Sequence, residues 1–229
     1  YTCMDSVNMS TQFFLSDEQL LEMLARDYSG DTVSTQELVD FQKSDIKNLE
    51  RLVSNNPLLY SVRVYSRTDT IQEMMPILYR HNRMKNLGWA ATNEAMGTDG
   101  WKFGYADTTF SQLVSTQTKD LAGYVTPVVD YRLGTIGTIE AVVPMQNLFP
   151  GLYEKSLGEW GCFVAEDGNV YYGSNYTDEA GRLQDRIWER VQQEHGDADG
   201  QDSFVSYYKL DGRKLIVTAY RENELGGTI

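Results

Sequence analysis

Asn56-Pro57-Leu58-Leu59-Tyr60-Ser61-Val62-Arg63-Val64-Tyr65 is where the hydrophobic period of the chain changes. Upstream, apolar residues recur every three or four positions. Here they alternate. Leu58, Tyr60, Val62 and Val64 form one row, and Leu59, Ser61, Arg63 and Tyr65 the other. Successive side chains of a strand point to opposite faces, so this predicts a strand with one apolar face and one mixed face. Pro57 cannot continue a helix, and Asn55-Asn56 before it marks the turn that ends one.

Working back from that point, Ser34 followed by Glu37 makes a capping box, and Leu38, Phe41, Ile46, Leu49, Leu52 and Val53 give its helix an apolar side. Met4, Val7, Thr11, Phe14, Leu21 and Leu24 predict an earlier helix with a narrow apolar stripe, separated from the next by a turn at Ser29-Gly30-Asp31. Such a stripe packs on its own sheet or serves a homodimer through the N-terminal helix.

Working forward, residues 70–96 read as helical or irregular. Strands are predicted over 101–105, 109–113, 122–131 and 135–143, the last two joined by a turn at Arg132-Leu133-Gly134. A connector helix over 145–157, broken at Pro150-Gly151, leads to a smaller repeat of the same grammar. That repeat has strands over 160–165 and 170–172 around the turn Glu166-Asp167-Gly168-Asn169, then a helix over 183–193. A hairpin of 203–210 and 214–220 through Asp211-Gly212-Arg213 closes it. Strands joined by hairpins, without regular alternation of strand and helix, predict an α+β fold with antiparallel sheets. The expected division is a long helical stretch over 1–56, a first lobe over 57–145, a connector over 146–158 and a second lobe over 159–229.

Composition narrows the function. The chain has 229 residues and 33 acidic against 20 basic side chains, a formal net charge of -13. Nucleic-acid phosphates and anionic membrane surfaces demand the opposite balance. The acidity keeps a domain soluble. Two cysteines, Cys3 and Cys162, make no disulfide framework, and two free thiols are expected over one bridge. No run approaches the ~20 apolar residues that cross a bilayer, and no leader peptide is visible. The sequence opens within a helical pattern, so it is expected to be an excised segment of a longer protein.

The chemistry of an enzyme site does not stand out. His81 and His195 lack a neighbouring ligand at metal spacing, and no phosphate loop, dinucleotide fingerprint or nucleophile elbow occurs. Asp197-Ala198-Asp199-Gly200-Gln201-Asp202 has the flavour of a calcium loop. Its glycine comes too early, and Tyr208 stands where the bidentate Glu belongs. The expectation is no catalytic residue, no metal and no cofactor. A secreted hydrolase with paired carboxylates and a surface interaction module are the alternatives from other classes.

Several stretches together resemble the double Cache (PAS-like) sensor regions of bacterial receptors, especially YesM-type sensor histidine kinases. They are the strand entered from a helix at Asn56–Tyr65, Gly88-Trp89 followed by Gly100-Trp101, Gly123-Tyr124-Val125-Thr126-Pro127-Val128-Val129-Asp130, Gly137-Thr138-Ile139-Glu140-Ala141-Val142-Val143 with Leu148-Phe149, and Phe163-Val164-Ala165-Glu166-Asp167-Gly168-Asn169-Val170. The resemblance implies long N-terminal helices, two tandem PAS-like antiparallel sheets, and a small-molecule sensor on the extracellular face of a bacterial membrane, flanked by transmembrane helices outside this sequence. Chemoreceptors and cyclic-dinucleotide enzymes carry similar modules. It also implies a ligand in the first lobe. The Ser61/Arg63/Tyr65 row would face it and the Leu58/Tyr60/Val62/Val64 row the helix. Trp89, Trp101 and Tyr105 would close the site. Tyr124 and Asp130 would line it, with Asp130 placed for a ligand amine.

Overall fold

The computed structural model describes residues 2–26, 28–29, 33–87, 89, 99–109, 120–165, 168–175, 177–195, 203–210, 213–222 and 224–229. The acidic stretch Asp197–Asp202, the Asp211-Gly212 turn and the part of the predicted 109–113 strand beyond Thr109 lie outside them. So do Gly30-Asp31 and Glu166-Asp167 of two predicted turns. The chain is a mixed α/β protein of two compact units, Tyr1–Leu148 and Phe149–Ile229.

The first unit opens with two helices, α1 (Thr2–Leu15) and α2 (Glu18–Ala25). One continuous stripe was expected here. Asp17 breaks it, because its carboxylate accepts from the Leu20 N–H at 2.9 Å and starts a new helix. The break shifts the phase. Met4, Val7, Thr11 and Phe14 are buried as the spacing predicts, but Leu20, Met23 and Leu24 continue the stripe while Leu21 is half-exposed.

The next helical stretch consists of α3 (Thr35–Phe41), a π-helical turn (Gln42–Ile46) and α4 (Lys47–Ser54). Phe41 and Ile46 are both buried although five residues apart. A π turn brings i and i+5 into line, so the extra residue is absorbed there. Ser34 caps α3 by accepting from the Glu37 N–H at 3.1 Å, whereas the Glu37 carboxylate pairs with Arg26 at 2.6 Å. That ion pair draws the Glu37 side chain away from the reciprocal half of the predicted box. At the far end the Asn56 side chain accepts from the Leu58 N–H at 3.1 Å, which turns the chain into the sheet.

Among the described residues five strands follow: β1 (Ser61–Ser66), β2 (Leu78–Tyr79), β3 (Gly100–Tyr105), β4 (Leu121–Asp130) and β5 (Gly134–Pro144), in the order β2-β1-β5-β4-β3. A 3₁₀ turn, His81–Asn86, lies between β2 and β3. The sheet is antiparallel except at one edge, where β2 runs parallel to β1. An all-antiparallel sheet was expected. The long connection over 67–77 carries the chain back to the start side of β1, so β2 enters in the same direction.

Helices α1 and α2 pack on β5, and α1 also on β4. The register puts Val62, Val64, Ile139 and Ala141 on that side, all buried. Arg63 stands opposite Glu140, and Ser61 opposite Val142, on the other face. A short helix, α5 (Met145–Leu148), ends this unit.

The second unit begins with α6 (Pro150–Tyr153), whose first residue is the proline expected to break the connector. Proline suits that position, because the first N–H of a helix has no partner to lose. Then come β6 (Cys162–Ala165), β7 (Val170–Tyr172), α7 (Asp178–His195), β8 (Ser203–Leu210), β9 (Arg213–Glu222) and β10 (Gly227–Thr228). Their order is β7-β6-β10-β9-β8. Counted from its own first strand, this is the order of the first sheet again. Cys3 and Cys162 are both free thiols. No described helix is long and apolar enough to cross a membrane.

Candidate functional site

The face of the first sheet turned away from α1 and α2 buries charge. Glu140 comes from the middle of β5, with Ile139 before it and Ala141, Val142 and Val143 after it, and is 1 % exposed. A carboxylate so placed requires donors. It receives three. Trp89 Nε1 donates to Oε2, Tyr105 Oη donates to Oε2 at 3.2 Å, and Tyr65 Oη donates to Oε1 at 3.3 Å. Trp89 packs against the buried Tyr65, Tyr79, Met84 and Leu87, which carry it over the sheet.

Beside it lies a buried ion pair. Arg63 forks onto Asp107, with Nη1 to Oδ1 at 3.1 Å and Nη2 to Oδ2 at 2.9 Å. Its Nη1 also donates to Thr109 Oγ1 at 2.7 Å. Tyr60 donates its hydroxyl to Asp107 Oδ2 at 2.7 Å, and the Thr109 N–H donates to Oδ1. The two side chains keep only 10 % and 11 % of their surface. A planar guanidinium matched to a carboxylate by two parallel bonds is the strong form of this contact.

The electrostatics follow from burial. Burial works against the Asp107 charge, yet the Arg63 guanidinium and the Tyr60 hydroxyl hold its carboxyl well below the usual range. Burial likewise opposes the Arg63 charge, and the hydrogen bonds to Asp107 outweigh it, so Arg63 is held firmly protonated. At Glu140 burial wins. It pushes the carboxyl above its ordinary value, against the Trp89 N–H, the Arg63 charge and the two tyrosine hydroxyls. Burial also keeps Tyr65 and Tyr105 protonated as donors.

Of the residues singled out in the sequence, four meet here: Arg63, Tyr65, Trp89 and Tyr105. Tyr60, placed with the helix-facing row by alternation, joins them through Asp107 because it precedes the strand proper. Trp101 and Tyr124 stand opposite one another in the register and share a face with Ala141, which puts them on the other side of the sheet from Glu140. Their rings lie 5.5 Å apart, and Trp101 stacks on Phe103.

Tyr105 would share that side too, were β3 regular. The register slips between Lys102 and Tyr105, where Gly104 takes a φ of 64°, and the extra residue turns Tyr105 to the Glu140 face. Gly123 leaves the space for it. A Cβ there would collide with the Tyr105 hydroxyl. Asp130 is at the far end of β4. Its carboxylate accepts from the Arg132 and Leu133 N–H groups at 2.7 and 2.9 Å and shapes the hairpin turn.

Glu140, Asp107 and Thr109 were not among the residues singled out in the sequence. A lone acid inside an apolar strand was a usable signal for the first. Asp107 and Thr109 carry no such mark, because their partner lies more than forty residues away. Among the described residues no group of three or more His, Cys, Asp or Glu side chains could hold a metal ion. The cluster gathers hydrogen-bond donors, two carboxylates and aromatic rings in one buried place. No family model matches the chain, and no curated protein matches it to a significant level.

Proposed function

We propose that this chain is the small-molecule-sensing part of a bacterial transmembrane receptor, built of two PAS-like (double Cache) lobes, and that the ligand binds on the Glu140 face of the first sheet. One observation carries the proposal: a buried, hydrogen-bonded set of charges on a sheet face whose fold does not call for them. Buried charge is costly, and ionisable groups perturbed by burial and a specific partner cluster at functional sites. The repeated strand order supports the two-lobe reading, since a tandem of like lobes requires the same topology twice. The helices that precede the first sheet and pack on its opposite face support the direction of signalling. A ligand that binds two states of this face unequally would shift their balance, and the helices would carry the shift out of the lobe.

The test is a thermal-denaturation screen of the chain against amino acids, organic acids, amines, sugars and nucleobases. A compound that binds the folded state raises the melting temperature with its concentration. The expected result is a rise with one class of compound that shrinks in Glu140→Gln. If no compound in any class raises it, the sensor reading fails. If one is consumed, an enzyme takes its place.

A further inference from the structure

We propose that the outer edge of β8 is an interaction surface, and that it pairs antiparallel with β8 of a second copy of this chain. The inference does not depend on the sensing role.

The open edges among the described residues are β2 and β3 in the first sheet and β7 and β8 in the second. An open edge presents unpaired N–H and C=O groups, and proteins guard it with short strands, bulges or charge. β2 has two residues and β7 has three, which is little to pair with. β3 is longer, but its register shifts between Lys102 and Tyr105, and Gly100 and Gly104 take φ of 109° and 64°. A bulge of that kind bends an edge out of line.

β8 lacks these guards. Ser203–Leu210 has eight residues and pairs with β9 in unbroken register, from Ser203 opposite Tyr220 to Leu210 opposite Arg213. It contains no proline and no glycine, and its one charged residue, Lys209, is next to last. The uncharged run Ser203–Tyr208 includes Phe204, Val205, Tyr207 and Tyr208, residue types that favour strands. A long, regular, uncharged edge pairs with another strand or aggregates.

Charge order along the sequence selects a second copy as the occupant. Asp197, Asp199 and Asp202 precede β8, whereas Lys209, Arg213 and Lys214 stand at its end and just after it, against the single acid Asp211. Antiparallel pairing of β8 with its own copy sets the basic end of each strand toward the acid-led end of the other. It also keeps the two Lys209 residues at opposite ends. Parallel pairing would match like with like, which is unfavourable. A two-fold pairing consumes both free edges at once, so assembly stops at two.

Sedimentation equilibrium of the chain over a wide concentration range, with two single variants, tests this. Hydrogen bonding alternates between the two edges along an antiparallel strand. Of Ser206→Pro and Tyr207→Pro, one therefore removes a bond to β9 and the other a bond to the second copy. The expected result is a monomer–dimer equilibrium in the parent. One of the two variants should weaken it roughly tenfold or more, since the two-fold repeats the lost bond. At a dilution where the parent is monomeric, that variant should keep the parent's melting temperature.

Amide exchange of the parent gives a reading that needs no variant, and it decides the matter where both variants unfold. Both rows of β8 N–H groups should be slow in the dimer, and the outward row alone should become fast on dilution. A parent that stays monomeric at every concentration overturns the proposal. A dimer retained by both folded variants places the contact on another face and overturns it too. Growth beyond the dimer, or an outward row that stays fast in the dimer, does the same.

Discussion

The two sheets have the same strand order, and their described buried side chains differ in chemistry. In the first unit the strand pair β1 and β5 buries Arg63 and Glu140 side by side. In the second, β6 stands where β1 does, and it buries Phe163 completely. That ring stacks on Phe149 at 4.7 Å and on Tyr171 at 6.4 Å. One strand order thus holds an ion pair at one buried position and a stacked ring at its counterpart. Aromatic stacking is the ordinary way to stabilise such a sheet. The strand order by itself does not call for the ions of the first unit.

Breaking the ion pair should have the largest effect. Arg63→Met leaves Asp107 buried without its counter-charge and should cost about 3–5 kcal/mol in urea unfolding. Joining it with Asp107→Leu should restore most of that loss or exceed the parent, because well-packed apolar residues replace buried pairs at little cost. A double variant as unstable as the single one would mean that the charges are structural, and the contrast between the units would collapse.

Phe163→Ala is the counterpart in the second unit. It should cost about 3–5 kcal/mol through the cavity it leaves. Hydrogen exchange should place the loss at β6, β7 and β10 and spare β1 and β5.

Gly123→Ala should cost about 1–3 kcal/mol, since its methyl meets the Tyr105 hydroxyl. Tyr105→Phe in the same chain should recover part of it, measurable as a non-additive pair of melting curves.

The smallest effect concerns pH, and its sign differs at the two carboxylates. Glu140 has a raised folded value, so its contribution is complete below the ordinary carboxylate range and declines as pH rises through the folded value. Glu140→Gln should remove that decline and gain on the parent toward neutral pH. Asp107 has a depressed folded value, so its contribution holds above the ordinary range and disappears only in stronger acid. Unfolding curves of the parent, Glu140→Gln and Arg63→Met between pH 3 and 8 should separate the two.

Much of the fold was legible in local pattern. The strand at Ser61–Tyr65 announced itself by a period of two, and the β4–β5 and β8–β9 hairpins by the turn sequences between their strands. What escaped was of two kinds. Strands of two residues, β2 and β10, are too short to show any period. Insertions of one residue change the facing of everything beyond them, and a single sequence does not display them. The slip before Tyr105 separated it from Trp101, and the break at Asp17 moved the buried stripe from Leu21 to Leu20. Within the site, Arg63 and Tyr65 were found because they share a row. Asp107 was not, because ion pairing across a distant loop has no local signature.

Strand β10 is the middle of the second sheet and follows all its other strands in the sequence. Its two residues join the β6–β7 pair to the β8–β9 hairpin, helped by the reciprocal backbone bonds of Tyr220 and Ile229. Both hairpins can zip locally, at small loop-closure cost, while the seam between them waits for the last arrivals. On a ribosome this unit would therefore mature in one late event, and trimming the chain back to Glu224 should leave two separate hairpins where a five-stranded sheet had been.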